Sequence, residues 1–449
     1  MKYCKLHFML QLFAFAGCMS GVVANAADDF SRLGKDLTPW GASQAANADG
    51  SIPAWDGGIK KAPDGFDPKK GYNSPYPNEK PLYVITAANY KQYESKLTAG
   101  QIELLKRYPS SYKITVYPSH RSHALPQSQY AAIAKEAPNI KLTSEGLGFS
   151  GRTKSSVPFP FPKSALEVYQ NMVVRYRGES YYRTSASFPV QSNGSFTPSV
   201  RKERIQWSST LADPVPSMNY YGMISYVAPA SVAGEVVLVQ EPIDFGKDAR
   251  RAWLYNPGSR RVLRAPQVGF DSPLTGSDGL ATQDDFDGLN GSPERYEWKL
   301  VGKKEMIIAY NNSKLTDKSL KYTEIIGKQT LNQDLVRYEL HRVYVLEATL
   351  KPGSRHIYSK RVVLVDEDSF QVAHVDNYDG RGQLWRAHEV FSAYFYDCQC
   401  TFMAGDAQYD FQAGRYSVAA MTNEEPAATF NEIYKADFFT PDNLKRVAQ

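Results

Sequence analysis

Beyond Gly178 the chain is a succession of short β-type runs cut by turn residues, and this pattern restricts the fold more than any other feature. Residues 234–245 contain Val236, Val237, Leu238 and Val239, apolar at both parities, so the run is expected to be buried on both faces. Arg251-Ala252-Trp253-Leu254-Tyr255 and Arg261-Val262-Leu263 flank Asn256-Pro257-Gly258-Ser259. Proline followed by glycine at the central positions predicts a type II turn, with Gly258 supplying the positive φ. Lys351-Pro352-Gly353-Ser354 repeats the arrangement between runs at 338–350 and 356–365. On the first of these Tyr338, Leu340, Tyr344, Leu346, Ala348 and Leu350 share one face. Two further turns, Asp366-Glu367-Asp368-Ser369 and Asp379-Gly380-Arg381-Gly382, lead into runs at 370–378 and 384–396. An antiparallel meander of long strands is expected, without tandem repeats.

The earlier part reads differently. Residues 38–81 carry Pro39, Pro53, Pro63, Pro68, Pro75, Pro77 and Pro81, so the stretch should be extended or looped, wrapping rather than helical. Thr98-Ala99-Gly100-Gln101 and Ser164-Ala165-Leu166-Glu167 are capping boxes that open helices, and residues 127–137 are a third helical candidate. After Ser164, the spacing of Leu166, Tyr169, Val173 and Tyr176 predicts one apolar stripe, with Gly178 as the stop. Val157-Pro158-Phe159-Pro160-Phe161-Pro162 suits a polyproline-like segment lying on apolar surface.

The first residues read as an export signal. Lys2 and Lys5 precede a mostly apolar stretch at 6–23, and Ala24-Asn25-Ala26 predicts cleavage after Ala26. Phe15-Ala16-Gly17-Cys18 offers an alternative, a lipoprotein anchored through Cys18. The organisation expected is a signal at 1–26, a Pro/Gly-rich segment with short helices at 27–163, and a β domain at 164–449. With a formal charge of +5 over 449 residues and no Lys/Arg block, nucleic acid is not an expected partner.

Cys398-Gln399-Cys400 admits a redox pair, a soft-metal site with Met403, or a local disulfide. Residues i and i+2 of a strand lie roughly 6.6–6.8 Å apart, at the outer limit for a disulfide, and a turn would bring them closer. In an oxidising compartment a disulfide between Cys398 and Cys400 at a strand end is favoured.

Catalytic signatures are scarce. The chain has no Gly-x-Ser-x-Gly elbow, Walker loop or His-Glu-x-x-His helix. His120 and His123 lack further local ligands for a metal, and hydrogen-bonded or solvated loop histidines are expected. Gln283-Asp284-Asp285-Phe286-Asp287-Gly288 with Glu294 imitates a calcium loop, but Gln283 holds the first ligand position and Pro293 blocks the following helix. A solvated turn is the expectation there. No cofactor and no metal are expected.

Leu37-Thr38-Pro39-Trp40-Gly41-Ala42 and Asn47-Ala48-Asp49-Gly50-Ser51-Ile52-Pro53-Ala54-Trp55-Asp56-Gly57-Gly58 resemble the opening of an uncharacterised Gram-negative periplasmic family. Its members are often labelled outer-membrane lipoprotein-sorting proteins. The likeness continues at Tyr117-Pro118-Ser119-His120-Arg121-Ser122, Tyr296-Glu297-Trp298-Lys299-Leu300-Val301-Gly302 and Tyr378-Asp379-Gly380-Arg381-Gly382-Gln383-Leu384-Trp385-Arg386. It departs at Ile308-Ala309-Tyr310-Asn311, where a proline before Tyr-Asn would be expected. The resemblance implies a mainly β fold similar to LolA and LolB: a curved antiparallel open barrel, with helices on the concave face and an apolar ligand between. It implies an efflux-type inner-membrane transporter and an outer-membrane protein as partners, and it carries over no catalytic residues.

The first functional expectation is therefore a non-enzymatic periplasmic carrier or transporter accessory for a lipid or other apolar ligand. Trp253, Tyr255, Tyr338, Leu340, Tyr344 and Leu346 are the candidate lining, and ordinary core packing is the alternative for each. A ligand-free adaptor working through residues 38–81 is the second expectation, and a lipid or glycan hydrolase the third.

Overall fold

The computed structural model describes residues 28–266 and 269–448. The signal cleavage after Ala26 and the acylation at Cys18 lie outside the described residues. Among those residues no helix is long and apolar enough to cross a membrane.

Three helices precede the main sheet: α1 (Ala99–Arg107), α2 (Gln127–Glu136) and α3 (Ala165–Val174). Two small antiparallel pairs lie among them, β1 (Tyr83–Ile85) with β2 (Ile114–Val116), and β3 (Lys141–Leu142) with β4 (Phe149–Ser150). Both capping boxes form as expected, at Thr98 and Ser164. Residues 38–81 wrap without helix or ladder, and they insert Trp40, Ile52 and Tyr72 into the cores beneath.

Two meanders follow. The first comprises β5 (Ser180–Val190), β6 (Ser199–Trp207), β7 (Met218–Ala228), β8 (Val236–Pro242), β9 (Arg251–Asn256) and β10 (Arg261–Arg264). The second comprises β11 (Tyr296–Ala309), β12 (Tyr338–Leu350), β13 (Lys360–Asp366), β14 (Val372–Tyr378), β15 (Leu384–Phe395), β16 (Cys400–Asp410) and β17 (Arg415–Met421). Each strand pairs antiparallel with the next in its meander, and β17 pairs antiparallel with β5, with Tyr416 opposite Val190. The product is one open sheet, β11 to β17 followed by β5 to β10.

Antiparallel partners share a face, so the registers trace each side. One side runs through Leu346, Val363, Val375, His388, Gln408 and Ser417, then through Arg201 and Tyr226 to Val237 and Leu254. Helix α3 lies on it through Val168, Tyr169 and Met172, with Trp40 and Leu125 completing the cluster. On the opposite side Leu104 and Leu105 of α1 pack with Ala387, Phe391 and Tyr409. Behind β7–β9, Phe439 and Leu444 of the C-terminal segment cover Tyr221, Met223, Val236 and Leu238.

Four local expectations change. Helix α3 stops at Val174, four residues before Gly178, because guanidinium groups take its last carbonyls. Arg175 Nη1 donates to Met172 O at 2.7 Å and Arg177 Nη2 to Val173 O at 2.9 Å. The helix is also buried on more than one stripe, since Gln170 and Asn171 bond loop carbonyls at Gly146 and Phe159. The 256–259 turn is not type II: the left-handed residue is Arg260 (φ 55°), and Asn256 Oδ1 accepts from Ser259 N at 3.0 Å. Gly353 does take the predicted positive φ, 82°. The run expected from 356 begins at Lys360, because His356 is drawn aside to Asp284.

Candidate functional site

Over β6–β9, on the α3 side, the sheet holds a cavity of about 260 Å³. Its floor is built by alternation: Ile205, Tyr220, Ile224, Val237, Val239 and Leu254 come from four neighbouring strands and face the same way. The segment after β10 folds back as a roof, bringing Ala265, Pro273, Leu274 and Phe286 over that floor. A smaller void of about 30 Å³ shares Tyr220 and Phe286 and reaches Val173 and Val174 of α3.

The roof is held down by charge. Asp284 accepts from Arg361 at 2.9 Å and from Thr282 at 2.6 Å, and it hydrogen-bonds His356 at 3.0 Å. Burial would raise the Asp284 carboxyl, but Arg361 and then His356 outweigh it and hold the pKa at about 2. Asp285 accepts from Tyr358 and Gln408 at 3.2 and 2.9 Å. Asp287 pairs with Arg175 at 2.6 Å and also with Arg177. Burial, with Arg175 alongside, brings Arg177 down to about 10. The 283–288 stretch, expected as a solvated turn, is therefore a buried anchor; its carboxylates are affordable inside because each meets a fixed donor.

The cavity wall carries its own charges. Glu203, fully buried, lies between Arg183 and Arg201; Arg201 Nε donates to it at 2.8 Å. Burial pushes the Glu203 carboxyl up, and the two arginines pull it below its ordinary value. Arg250 clasps Glu241 with two bonds of 2.6 and 2.9 Å and reaches Asn290 of the roof.

A separate polar cluster stands where residues 119–123 meet the 366–369 turn. Both Asp368 oxygens accept from Arg121, at 2.9 and 2.6 Å. His341, Asp366 and Asp368 offer ligand-type atoms within 4.8 Å of one another, with Asp368 already engaged by Arg121. His120 bonds Glu79 at 2.6 Å and His123 bonds Thr401 at 2.9 Å, so both are hydrogen-bonded loop histidines.

A family described as "Protein of unknown function (DUF1329)" matches residues 84–445. This chain belongs to the DUF1329 family. A relative, the uncharacterized protein PA3922 of Pseudomonas aeruginosa, is 45% identical over 430 residues, covering 95% of this chain and 94% of that protein. Solved structures with similarity include a DUF1329 family protein from Desulfovibrio piger, 16% identical over 62% of this chain and 95% of that one, with a TM-score of 0.43. Another is a LolA superfamily protein from Nitrosomonas europaea, 14% identical over 63% of this chain and 99% of that one, with a TM-score of 0.39.

In this DUF1329 chain the six residues proposed from sequence as lining do not come together. Trp253 and Tyr255 pack behind the sheet under the C-terminal segment, while their neighbour Leu254 faces the cavity. A strand reverses its side-chain direction at each residue, so one position separates the two faces. Tyr344 and Leu346 pack beneath α3. Tyr338 and Leu340, on the part of β12 that outruns β13, join the cluster around α1. None of the six is among the cavity's lining residues. Cys398, in the turn ahead of β16, is disulfide-bonded to Cys400, the first residue of that strand, with Cα atoms 5.5 Å apart. Arg183, Arg201 and Glu203 were missed because charges at alternate positions of a strand read as a solvated edge. The available signal was that Arg183 stands directly opposite Glu203 across the β5–β6 hairpin, with Arg201 two residues from Glu203 on the same face of β6.

Proposed function

We propose that this protein is a non-enzymatic periplasmic carrier or transporter accessory that holds a lipid-like ligand in the cavity over β6–β9. The observation carrying this reading is a void of about 260 Å³ on an aliphatic floor, beneath a roof tethered by its own ion pairs. Pockets of roughly 300 Å³ upward typify small-molecule sites, so this one suits a single chain better than a two-chain lipid. Partition supplies the affinity at roughly 0.8 kcal/mol per CH₂ moved from water, less the cost of immobilising the chain. Export supports traffic between the inner and outer membranes, and the N-terminal signal pattern supports export. An efflux-type inner-membrane transporter and an outer-membrane protein are the partners that would deliver and receive such a ligand.

Native mass spectrometry of gently purified protein should find an apolar adduct, and a fluorescent fatty acid should bind the wild type. Leu254→Asp should abolish that binding. Leu254→Ala should weaken it while leaving one cooperative unfolding transition. Absence of any adduct together with no probe binding to wild type would reject the carrier reading and favour a ligand-free adaptor.

A further inference from the structure

Inside this cavity one cation is left half used. Arg201 is only 4% exposed, yet it lines the cavity, and its Nε alone is engaged, on Glu203. Its two terminal nitrogens form no hydrogen bond among the described residues. Glu203 is also taken by Arg183, so two guanidinium groups share one carboxylate and the buried triad keeps a net positive charge. A buried charge without a counter-charge is costly, and a guanidinium edge with two free N–H groups matches a planar or tetrahedral oxyanion. Phe286 of the roof lies with its ring centroid 5.6 Å from the Arg201 guanidinium carbon, and both residues line the cavity. The aliphatic floor begins beside it: Arg201 is opposite Tyr226 on β7, and Glu203 opposite Ile224.

The other charged groups in the wall leave this arrangement standing. Arg250 is satisfied by Glu241 and Asn290. Glu235 lies beyond Tyr226, whose N–H donates to the Glu235 carbonyl, and is therefore two strands from Arg201, roughly 10 Å.

We infer that the ligand is a single-chain amphiphile with an anionic head, carboxylate or phosphate, held by the free edge of Arg201 with its chain along Ile224, Val237 and Leu254. This rests on the carrier reading and deepens it by naming the ligand class. The test is calorimetric titration of delipidated full-length mature protein with three ten-carbon probes: decanoate, decyl phosphate and 1-decanol. At least one of the two anions should bind tenfold or more tightly than the alcohol, and the tighter anion identifies the head group. Arg201→Gln should bring anion and alcohol to within about twofold of each other, and Arg201→Lys should restore part of the preference. Because the probe comparison is made on the wild type, it decides the matter even if Arg201→Gln does not fold. Equal binding of all three probes would overturn the anionic head while leaving the carrier reading intact. No binding of any probe would overturn both.

Discussion

His123 shows how one residue can set the acid limit of a protein like this. It is buried against Trp40, with ring centroids 5.0 Å apart, and hydrogen-bonds Thr401. Burial lowers its pKa from 6.5 to about 4, with Asp368 pulling weakly the other way. Between those values the unfolded chain binds the proton and the folded chain does not. The stability from His123 is therefore complete above pH 6.5 and lost as pH falls through 4. It amounts to about 3 kcal/mol at most. Asp366 acts in the opposite sense: burial, then Asp368, raises its pKa to about 6, so its contribution is greatest below its ordinary value of 3.8 and is lost as pH rises through 6. Thermal melts from pH 7 to pH 4 should therefore show His123→Gln gaining stability relative to wild type as the pH falls, because the loss from His123 is gone and the gain from Asp366 remains. An unchanged slope in that variant would mean His123 does not set the limit. The residue was visible in the sequence as part of a His-Arg-Ser-His loop, but its burial depends on Trp40, far away along the chain.

At the scale of elements, what local chemistry fixes was legible and what distant packing fixes was not. Both capping boxes could be read in four residues, since their hydrogen bonds lie within one turn. Ser164→Ala should cost about 1 kcal/mol, read as a lower urea midpoint at unchanged slope. A loss near zero would mean that tertiary contacts alone hold the start of α3. The end of α3 was misjudged because Arg175 and Arg177, which cap it, are pulled out by Asp287, a residue from another part of the chain. The two Pro-Gly turns make the same point. Gly353 follows its local preference, whereas the β9–β10 loop is set by the strand register, with Arg260 absorbing the left-handed conformation.

For the whole molecule, the antiparallel meander was legible from strand periodicity and turns, and its openness only from the family resemblance, but the location of the cavity was not. Alternation tells which residues share a face, and only assembly tells which face the roof covers. The roof itself depends on charge pairing across long distances. Asp287→Asn keeps a residue that tolerates the positive φ of 60° found there but leaves Arg175 and Arg177 without a counter-charge. Breaking a buried pair in this way should cost at least about 3 kcal/mol. Limited thermolysin digestion should then cut first within 270–291, while wild type resists there. If the variant is as stable and as resistant as wild type, the roof is held by its apolar contacts.

The pairing of β17 with β5 has a consequence for how the chain reaches this state. Inside each meander a strand finds its partner next in sequence, so those ladders need only short loop closures, apart from the 310–337 connection between β11 and β12. Val190 must instead wait for Tyr416, and the register there shifts between Val418 and Met421. Zippering within the meanders can run ahead of synthesis of the C-terminus, but the junction cannot, and contacts so far apart in sequence form slowly. Until β17 leaves the ribosome, β5 presents an open strand edge of the kind that recruits other chains. For the exported carrier proposed above, the chain would have to cross the inner membrane before that edge is closed, so keeping β5 unpaired would fall to whatever escorts the nascent protein.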